Sequence, residues 1–507
     1  MITTHVDELL DLLQRPSVAD SALIAKAYSF AEKAHAGHKR SSGEPYFFHL
    51  FETAKTLAEL GMGAITISAG LLHDSIEDVD VKSEVIEREF GKEIRFLVEG
   101  VTKLGKLHYG GSERYTESLR KLFVAMSKDV RVLIIKLADR LHNMKTIGDL
   151  PKEKRDRIAL ETLEIYAPLA YRLGIRKINR ELEDLAFPYV NPEEYDRVKK
   201  LLKTKSHEKV RHLEKFHKSV KRELAREGII HTHSSYRLKG LYSLYRKLLR
   251  KEWDIEKIYD ISALRIIVPT ISDCYRVLGV IHSVWRPLPG RIKDYIAFPK
   301  PNSYRGIHTT IFTGDGGIIE MQIRTEEMHR KTEYGMHFEY KETITNPKPN
   351  FGSVAWVKSF FPSFILGNKE IKAEQKKPDS VVPPWIREIG EYHKEVTGTQ
   401  EFIGDIKTDF FSNRVFVFTP KGDVIDLPAD SSSIDFAYAV HSDIGNHMSG
   451  AKVNGKLVSI DTPLQNGDIV EIVTKTGSHP TAKWLEITKT AIAKKHIKMM
   501  LGQNSLH

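Results

Sequence analysis

The sequence predicts a multidomain protein: an all-α domain first, a mixed α/β domain second and a small β-rich unit towards the C-terminus. Three observations carry this. From Ala22 to about Pro192 apolar residues recur at three and four spacing, as in IAKAYSFAEKAHAGH, SLRKLFVAMS and RIALETLEIYAPLAYRLG, the period of amphipathic helices. Near Ile255 short β-branched runs appear, ALRIIVP, GIHTTIFT and GIIEMQIRT, interleaved with helical stretches such as DCYRVLGVIHSVW, the pattern of strands alternating with helices. After Phe411, FSNRVFVFTPKGDVIDLP alternates as a hairpin turned at Pro420 to Gly422. A chain of 507 residues is also too long for one hydrophobic core.

The first domain is placed at residues 1–195 and the second at 196–342. The second opens on a basic helical stretch, from Arg197 through KKLLKTK and KVRHLEKFHKSVKREL to Arg226, which reads as an exposed helix pair or a phosphate-attracting face. Residues 343–400, rich in Pro and Lys, read as a linker docked through the apolar island WVKSFFPSFIL and followed by the helix WIREIGEYHKEV. The β-rich unit, 401–476, runs from the hairpin through a helix and two further short strands to Val473. Beyond it, in 477–507, AKWLEITKTAIAKKHIKMML reads as one basic helix.

With 77 basic and 67 acidic side chains the formal charge is +10, which favours anionic partners such as nucleotides or RNA. No apolar run reaches the roughly 20 residues of a membrane span, and Met1 to Ser17 lacks a signal-peptide core. A cytoplasmic location is therefore expected, without membrane partners. The single cysteine, Cys274, excludes an internal disulfide and agrees with a reducing compartment.

The densest chemistry lies in LLHDSIEDVD, Leu71 to Asp80. On a helix His73 and Glu77 lie one turn apart, as do Asp74 and Asp78, so imidazole and carboxylates reach a common pocket. KRSSGEPYFFHL supplies His49, and IKLADRLHNMKT supplies Asp139 with Asn143 one turn later. Two imidazoles and two carboxylates make a mixed nitrogen and oxygen set suited to Mn²⁺, Fe²⁺ or Zn²⁺. An ion there makes water a stronger acid, and Glu77 or Asp78 is placed to accept or relay the proton.

With GEPYFFH and KLADRLHNM intact around it, this set resembles the HD-type hydrolase domain of the RelA/SpoT homologue family, in particular its long bifunctional alarmone enzymes. That domain removes the 3′-pyrophosphate from (p)ppGpp. The resemblance implies that His49, His73, Asp74 and Asp139 hold Mn²⁺ and that Glu77 with Asp78 activates the attacking water. It also implies that Arg40, Ser42, Asn143 and Thr146 touch the nucleotide. The family's usual second basic residue after the arginine is replaced by Ser41, leaving Lys39 to compensate.

Pyrophosphate transfer from ATP to a hydroxyl needs a carboxylate-held Mg²⁺, cations for the triphosphate and a base for the attacking oxygen. Asp260, at the start of a strand in IYDISALRI, and Glu320, within the strand IIEMQIRT, supply two carboxylates, with many Lys and Arg around them. YRLKGLYSLYRK, YDISALRI, GRIKDYIAFPKPNSYRGIHTT and EMQIRT resemble the family's nucleotidyltransferase-like synthetase domain, which makes (p)ppGpp from ATP and GDP or GTP. By that resemblance Asp260 and Glu320 are the magnesium and catalytic carboxylates, Glu320 being the base at the acceptor 3′-hydroxyl. Arg237 and Arg265 sandwich adenine, and Lys239, Ser243, Lys247, Lys293 and Lys300 meet phosphates. Tyr304 stacks on the acceptor guanine, supported by Asn302, His308 and Gln322. Two departures are Tyr-Arg-Leu-Lys at Tyr236 to Lys239, where the family has Gly-Arg-Pro-Lys, and the shortened MHFEYKE. The cations of RIKD match the bifunctional branch.

FVFTPKGDVIDLP, IDFAYAVHSDIGNHMSGAKVNGKLV and LQNGDIVEIVT resemble a β-grasp-like TGS domain, which in ribosome-associated relatives contacts deacylated tRNA; His441 matches the histidine that does so. The resemblance breaks off at His507, where long relatives continue into helical, zinc-finger and ACT modules. The expectation is a bifunctional stringent-response enzyme that makes and hydrolyses (p)ppGpp. Two other readings stay open: a hydrolase whose synthetase half only binds nucleotide as a regulator, and a regulator that mainly binds tRNA or the ribosome.

Overall fold

The protein is seen here as a computed structural model that describes residues 5–13, 16–102, 129–258, 262–299, 304–314, 317–334, 414–422, 424–465 and 467–504. Outside them lie Asp260, Lys300 and Asn302, the 343–400 linker with its helix, SLRKLFVAMS and MHFEYKE. The chain divides into two units, one holding the first two domains and one the third.

The first domain is helical throughout its described residues. Its elements are α1 (His5–Leu12), α2 (Val18–Ala34), α3 (Phe47–Glu59), α4 (Ala64–Leu72), α5 (Ser83–Phe90), α6 (Lys92–Thr102), α7 (Arg131–Lys145), α8 (Lys152–Glu161), α9 (Ala167–Arg172) and α10 (Arg176–Val190). Local chemistry sets the ends: at α2 the Ser17 hydroxyl accepts from Asp20 N (3.1 Å) while the Asp20 carboxylate accepts from Ser17 N (3.2 Å), a reciprocal cap. Helix α4, AITISAGLL, is buried at every position. Such an all-round apolar helix belongs at the centre of a bundle, and α2, α3, α6 and α7 pack around it. Gly70 allows α3 to approach, since a Cβ there would lie 2.4 Å from Leu57 Cδ1.

The expected helix through LLHDSIEDVD ends early. α4 stops at Leu72, and residues 73–78 form turns closed by Ser75 N to Leu72 O (3.0 Å), Glu77 N to Asp74 O (3.1 Å) and Asp78 N to Asp74 O (2.9 Å). Asp and Ser side chains compete for backbone groups and disfavour helix interiors, and Asp80 then turns the chain at φ +51°.

The basic stretch of the second domain is one helix, α11 (Pro192–Arg226), rather than a pair. Leu213, Phe216, Val220 and Leu224 recur along it at three and four spacing and are buried, so one face belongs to a core. That core is closed by a five-stranded sheet of β1 (His233–Leu238), β2 (Ser262–Val268), β3 (Lys293–Asp294), β4 (Ile307–Phe312) and β5 (Ile318–Thr325), in the order β1-β2-β5-β4-β3. Only the β2–β5 pair is parallel. Strand alternation sends Leu264, Ile266, Val268, Ile319, Met321 and Ile323 into the core beneath α11 and α13 (Ile271–Val284). The opposite face carries Arg265, His308, Glu320 and Gln322. Helix α12 (Leu241–Arg250) follows β1, and α14 (Glu326–Tyr334) follows β5.

The first domain's last helix also caps the second domain. Tyr242 N, in the first turn of α12, donates to Asp184 Oδ1 of α10 (3.0 Å), while Phe187 of α10 packs against Tyr195, Tyr242 and Tyr245.

In the third unit β6 (Arg414–Phe418) and β7 (Val424–Pro428) form the expected hairpin. The single expected helix is two, α15 (Ser433–Val440) and α16 (Ser442–Asn446), split at His441, whose backbone is extended. Three strands follow rather than two: β8 (Met448–Val453), β9 (Lys456–Val458) and β10 (Val470–Thr474), in the order β10-β8-β9. A parallel bridge between Phe418 and Ile469 joins the hairpin to this sheet, giving the β-grasp-like form. The C-terminal helix is also broken, into α17 (Lys483–Ile487) and α18 (Ala491–Asn504). The buried Asp435 takes the amides at the break, from Lys489 N (2.9 Å) and Thr490 N (2.8 Å). Among the described residues no helix is long and apolar enough to cross a membrane.

Gly240 precedes α12 at φ −60°, a backbone any residue accepts. What excludes a side chain is Asp184 Oδ2, 2.6 Å from where a Cβ would lie. Gly240→Ala should therefore displace the cap and cost about 1 kcal/mol of stability, the usual worth of such a cap. Asp184→Ala should cost about the same, and in urea unfolding the double variant should fall well short of the sum.

Candidate active sites

The first site lies where α3, α4 and α7 meet. Helix α3 presents His49, α4 hands over His73 and Asp74 at its C-terminal end, and α7 presents Asp139. His49 Nε2 stands 3.2 Å from Asp139 Oδ1 and 3.6 Å from Asp74 Oδ2; His73 Nε2 stands 3.1 Å from Asp74 Oδ2 and 3.9 Å from Asp139 Oδ1. The donor atoms of His49, His73 and Asp74 lie within 4.8 Å of one another.

Both imidazoles aim the same nitrogen inward. His73 Nδ1 donates to Gly70 O (2.8 Å), which leaves Nε2 buried and facing the carboxylates. At His49 the evidence is indirect. Arg40 Nη1 lies 2.9 Å from His142 Nδ1, and an arginine can only donate, so that nitrogen of His142 is an acceptor. His49 Nδ1, 2.8 Å from the same atom, therefore carries its proton and turns a bare Nε2 to the centre. Two converging Nε2 atoms and two carboxylates are a donor set that fits a divalent ion.

Charge agrees with this geometry. Burial alone would lower His73, but Asp74 and Asp139 outweigh it and carry it up to about 9, so a proton sits where an ion would replace it. Burial opposes ionisation of Asp74 and Asp139 too. His73 and His49 nevertheless hold Asp74 low, and Lys136 with the two histidines holds Asp139 well below the carboxylate range. Burial, His49 and Arg40 push His142 down to about 3, keeping it a neutral acceptor.

Asp139 is fixed at both oxygens: Lys136 Nζ meets Oδ2 at 2.7 Å and Asn143 Nδ2 donates to Oδ1 at 2.5 Å. Asn143 Oδ1 in turn accepts from Arg40 Nη2 (2.5 Å), and Tyr46 OH donates to Asp74 Oδ2 (2.9 Å). Arg40 is thus connected to Asp139 through Asn143. Thr146 ends α7, its hydroxyl donating to His142 O (3.2 Å), and the Ser42 hydroxyl turns to Glu44 Oε2 (3.3 Å). Glu77 is half-buried and Asp78 exposed on the turn after His73. Sequence reasoning missed Lys136, His142 and Tyr46. Lys136 and His142 lie three residues either side of Asp139, a helical spacing that could have flagged them.

The second site is the polar face of the five-stranded sheet. The register places Arg265, Gln322, His308 and Lys293 in one row and Arg237, Ala263, Glu320 and Thr310 in another; Arg237 is placed by its backbone alone. His308 Nδ1 (3.1 Å) and Gln322 Nε2 (3.1 Å) both meet Glu320 Oε1, and the Tyr304 hydroxyl bonds to His308 Nε2. Tyr295, which the sequence reading passed over, sets its ring edge-on to Tyr304 (5.7 Å) and His308 (5.3 Å). Tyr304 is 9% exposed, packed among these rings rather than held out as an open platform. Lys239 precedes α12, on which Ser243 and Lys247 lie one turn apart. Arg265 Nη2 reaches Glu333 Oε1 at 3.4 Å.

In the third unit His441 is exposed, and its Nδ1 accepts from Asp443 N (3.2 Å), capping α16.

His142 is predicted to support the metal-binding form of His49. His142→Leu should lower the affinity for a divalent ion by about 10- to 100-fold, the usual loss when a ligand's supporting partner is removed, as read by titration calorimetry with divalent cations on metal-free protein. His142→Gln, whose amide oxygen can accept the same N–H, should fall between.

Residues 27–176 match the HD domain family, 236–345 the region found in RelA / SpoT proteins, and 415–474 the TGS domain family. Over 488 residues the chain is 42% identical to the probable guanosine-3′,5′-bis(diphosphate) 3′-pyrophosphohydrolase of Synechocystis sp., covering 96% of this chain and 61% of that one. It is 42% identical over 490 residues to the GTP pyrophosphokinase of Myxococcus xanthus, with the same coverage. To the guanosine-3′,5′-bis(diphosphate) 3′-pyrophosphohydrolase of Aquifex aeolicus it is 43% identical over 481 residues, 94% of this chain and 64% of the relative. The chain thus spans somewhat under two thirds of these relatives' length. With the three regions in this order, and such identity along nearly all of its own length, the chain is similar throughout to RelA/SpoT proteins.

Proposed function

We propose that the chain is a bifunctional alarmone enzyme, transferring pyrophosphate from ATP to the 3′-hydroxyl of GDP or GTP in residues 196–342 and hydrolysing the 3′-pyrophosphate of (p)ppGpp in residues 1–195. The observation that carries it is the convergence of His49 Nε2, His73 Nε2, Asp74 and Asp139 in one domain, beside a separate carboxylate, Glu320, held by His308 and Gln322 in the next. That relatives of both names match the chain over nearly all its length supports the pairing.

In the hydrolase, His49, His73, Asp74 and Asp139 would hold Mn²⁺, which when bound polarises phosphate oxygens and makes water a stronger acid. Lys136 and Asn143 keep Asp139 ionised and oriented, and Tyr46 does the same for Asp74. Arg40, Asn143, Ser42 and Thr146 receive the nucleotide, while Glu77 and Asp78 accept the proton of the attacking water.

In the synthetase, Asp260 and Glu320 would hold Mg²⁺. Glu320 takes the acceptor hydroxyl's proton, the 3′-oxygen bonds to the β-phosphorus of ATP, and the bridging P–O bond breaks with AMP leaving. The close approach of His308 and the hydrogen bond from Gln322 fix the Glu320 carboxylate for that transfer. Arg237 and Arg265 flank adenine; Lys239, Ser243, Lys247, Lys293 and Lys300 meet the phosphates. Guanine stacks on Tyr304 with Asn302, His308 and Gln322 beside it, after the ring turns out of its packed position. In the third unit His441 would meet deacylated tRNA on the ribosome through the Nε2 edge that capping leaves exposed. The setting is cytoplasmic.

A second reading, a hydrolase whose synthetase half binds nucleotide only as a regulator, draws on one observation: Tyr304 is packed away. Incubation with ATP, GDP and Mg²⁺ separates the two, since the bifunctional reading requires ppGpp and AMP to form. Glu320→Ala should lower synthesis by about 10²–10⁴-fold, the usual worth of a general base, and spare hydrolysis; His73→Ala should do the reverse. Loss of both activities in either variant, or of neither, would sink the assignment. His441→Ala should weaken the gel shift of deacylated tRNA, and an unchanged shift would remove that residue from the reading.

A further inference from the structure

We propose that Glu333 is a positioning residue of the nucleotide-donor site, fixing the adenine-facing Arg265 from its own domain and, through Arg180, from the last helix of the hydrolase domain. The proposal rests on the reading of Arg265 as an ATP contact.

Three guanidinium groups from three elements converge on this one carboxylate. Arg265 of β2 and Arg324 of β5 each place Nη2 3.4 Å from Glu333 Oε1. Arg180 of α10 bonds through Nη2 to Oε2. The place is enclosed: Arg324 is 1% exposed and Glu333 9%. Among the described residues, Nε of Arg265 and Nε of Arg324 are buried without a hydrogen-bond partner, so the grip on both comes at the Nη2 edge. Buried cations need a counter-charge held in good geometry, and here one carboxylate serves three.

The neighbours cannot take its place. His329, one turn before Glu333 on α14, is pushed down to about 4 by burial and by Arg324 and Arg265, so it stays neutral. Burial and the charge of Arg324 pull Arg265 down to about 10, the mark of a cation short of negative charge. Without Glu333, Arg265 and Arg324 would repel each other across paired strands, and Arg265 would swing off the row it shares with Gln322 and His308. An ATP adenine would then meet a mobile guanidinium instead of a fixed plane. Arg180 makes the arrangement a shared one, because it approaches the second carboxylate oxygen from a helix that also packs against α7, which carries Asp139.

The test is binding of a nonhydrolysable ATP analogue and, separately, of GDP to the full chain, by calorimetry, for wild type and the variants Glu333→Gln, Glu333→Asp, Arg180→Gln and Arg265→Gln. Glu333→Gln should weaken the analogue about tenfold while GDP changes less than about twofold, and Glu333→Asp should recover most of the loss. Arg180→Gln should weaken the analogue in the same direction by about two- to fivefold. A merely structural Glu333 would weaken both ligands alike, or leave Glu333→Asp no better than Glu333→Gln, and either result overturns the proposal. If Glu333→Gln does not fold, Arg180→Gln decides, and wild-type affinity for the analogue in that variant counts against it. Arg265→Gln separates the two levels: normal affinity for the analogue there overturns the donor-site reading itself, whereas weakened affinity with an unaffected Glu333→Gln overturns only the positioning role.

Discussion

One helix has to satisfy two domains at once, and much of the described structure of the first unit depends on it. On one side α10 buries Ile178, Leu182 and Ala186, its Asn179 donates to Ala167 O (3.0 Å), and Lys177 pairs with Glu59 of α3 (2.6 Å). On the other, Arg180 holds Glu333, Asp184 caps α12, and Phe187 sits fully buried among three tyrosines. Burying a side chain the size of Phe187 is worth about 3 kcal/mol, and the polar contacts to α12 and α14 fix direction rather than add much energy. The five-stranded sheet is therefore oriented against the helices of the first domain by side chains only a turn or so apart.

The histidine and aspartate cluster was legible because its chemistry is rare: two histidines and two aspartates in KRSSGEPYFFHL, LLHDSIEDVD and IKLADRLHNMKT leave few structural reasons to occur together. What supports them was not. His142 looks like any polar residue near a helix end, and only the approach of Arg40, 102 residues away in sequence, shows that its Nδ1 is an acceptor. The helix expected through Asp80 stopped at Leu72 because a run of Asp and Ser offers the backbone alternative partners. The break in the C-terminal helix was equally hidden, for the group that claims its amides, Asp435, lies 54 and 55 residues earlier.

In the second domain the strands were legible and the charges were misleading. Arg324 sits in EMQIRT, where alternation places it on the polar face with Glu320 and Gln322, a face that alternation alone would leave open to solvent. It is instead 1% exposed, covered by α14 and neutralised by Glu333. Register, which no single strand reveals, is what puts Arg265, Gln322 and His308 side by side.

The two sites handle charge in opposite ways. Around Asp139 and Asp74, paired carboxylates are offset by Lys136 and the histidines, whereas three guanidinium groups share Glu333. Arg40 ties two supports together in the first of these. One of its nitrogens meets His142, which fixes the tautomer of His49, and the other meets Asn143, which holds Asp139. Any change at Arg40 therefore acts on the supports of His49 and Asp139 at once. The same guanidinium cannot turn away and keep both hydrogen bonds unchanged, so the geometry of His49 and Asp139 is tied to where Arg40 lies.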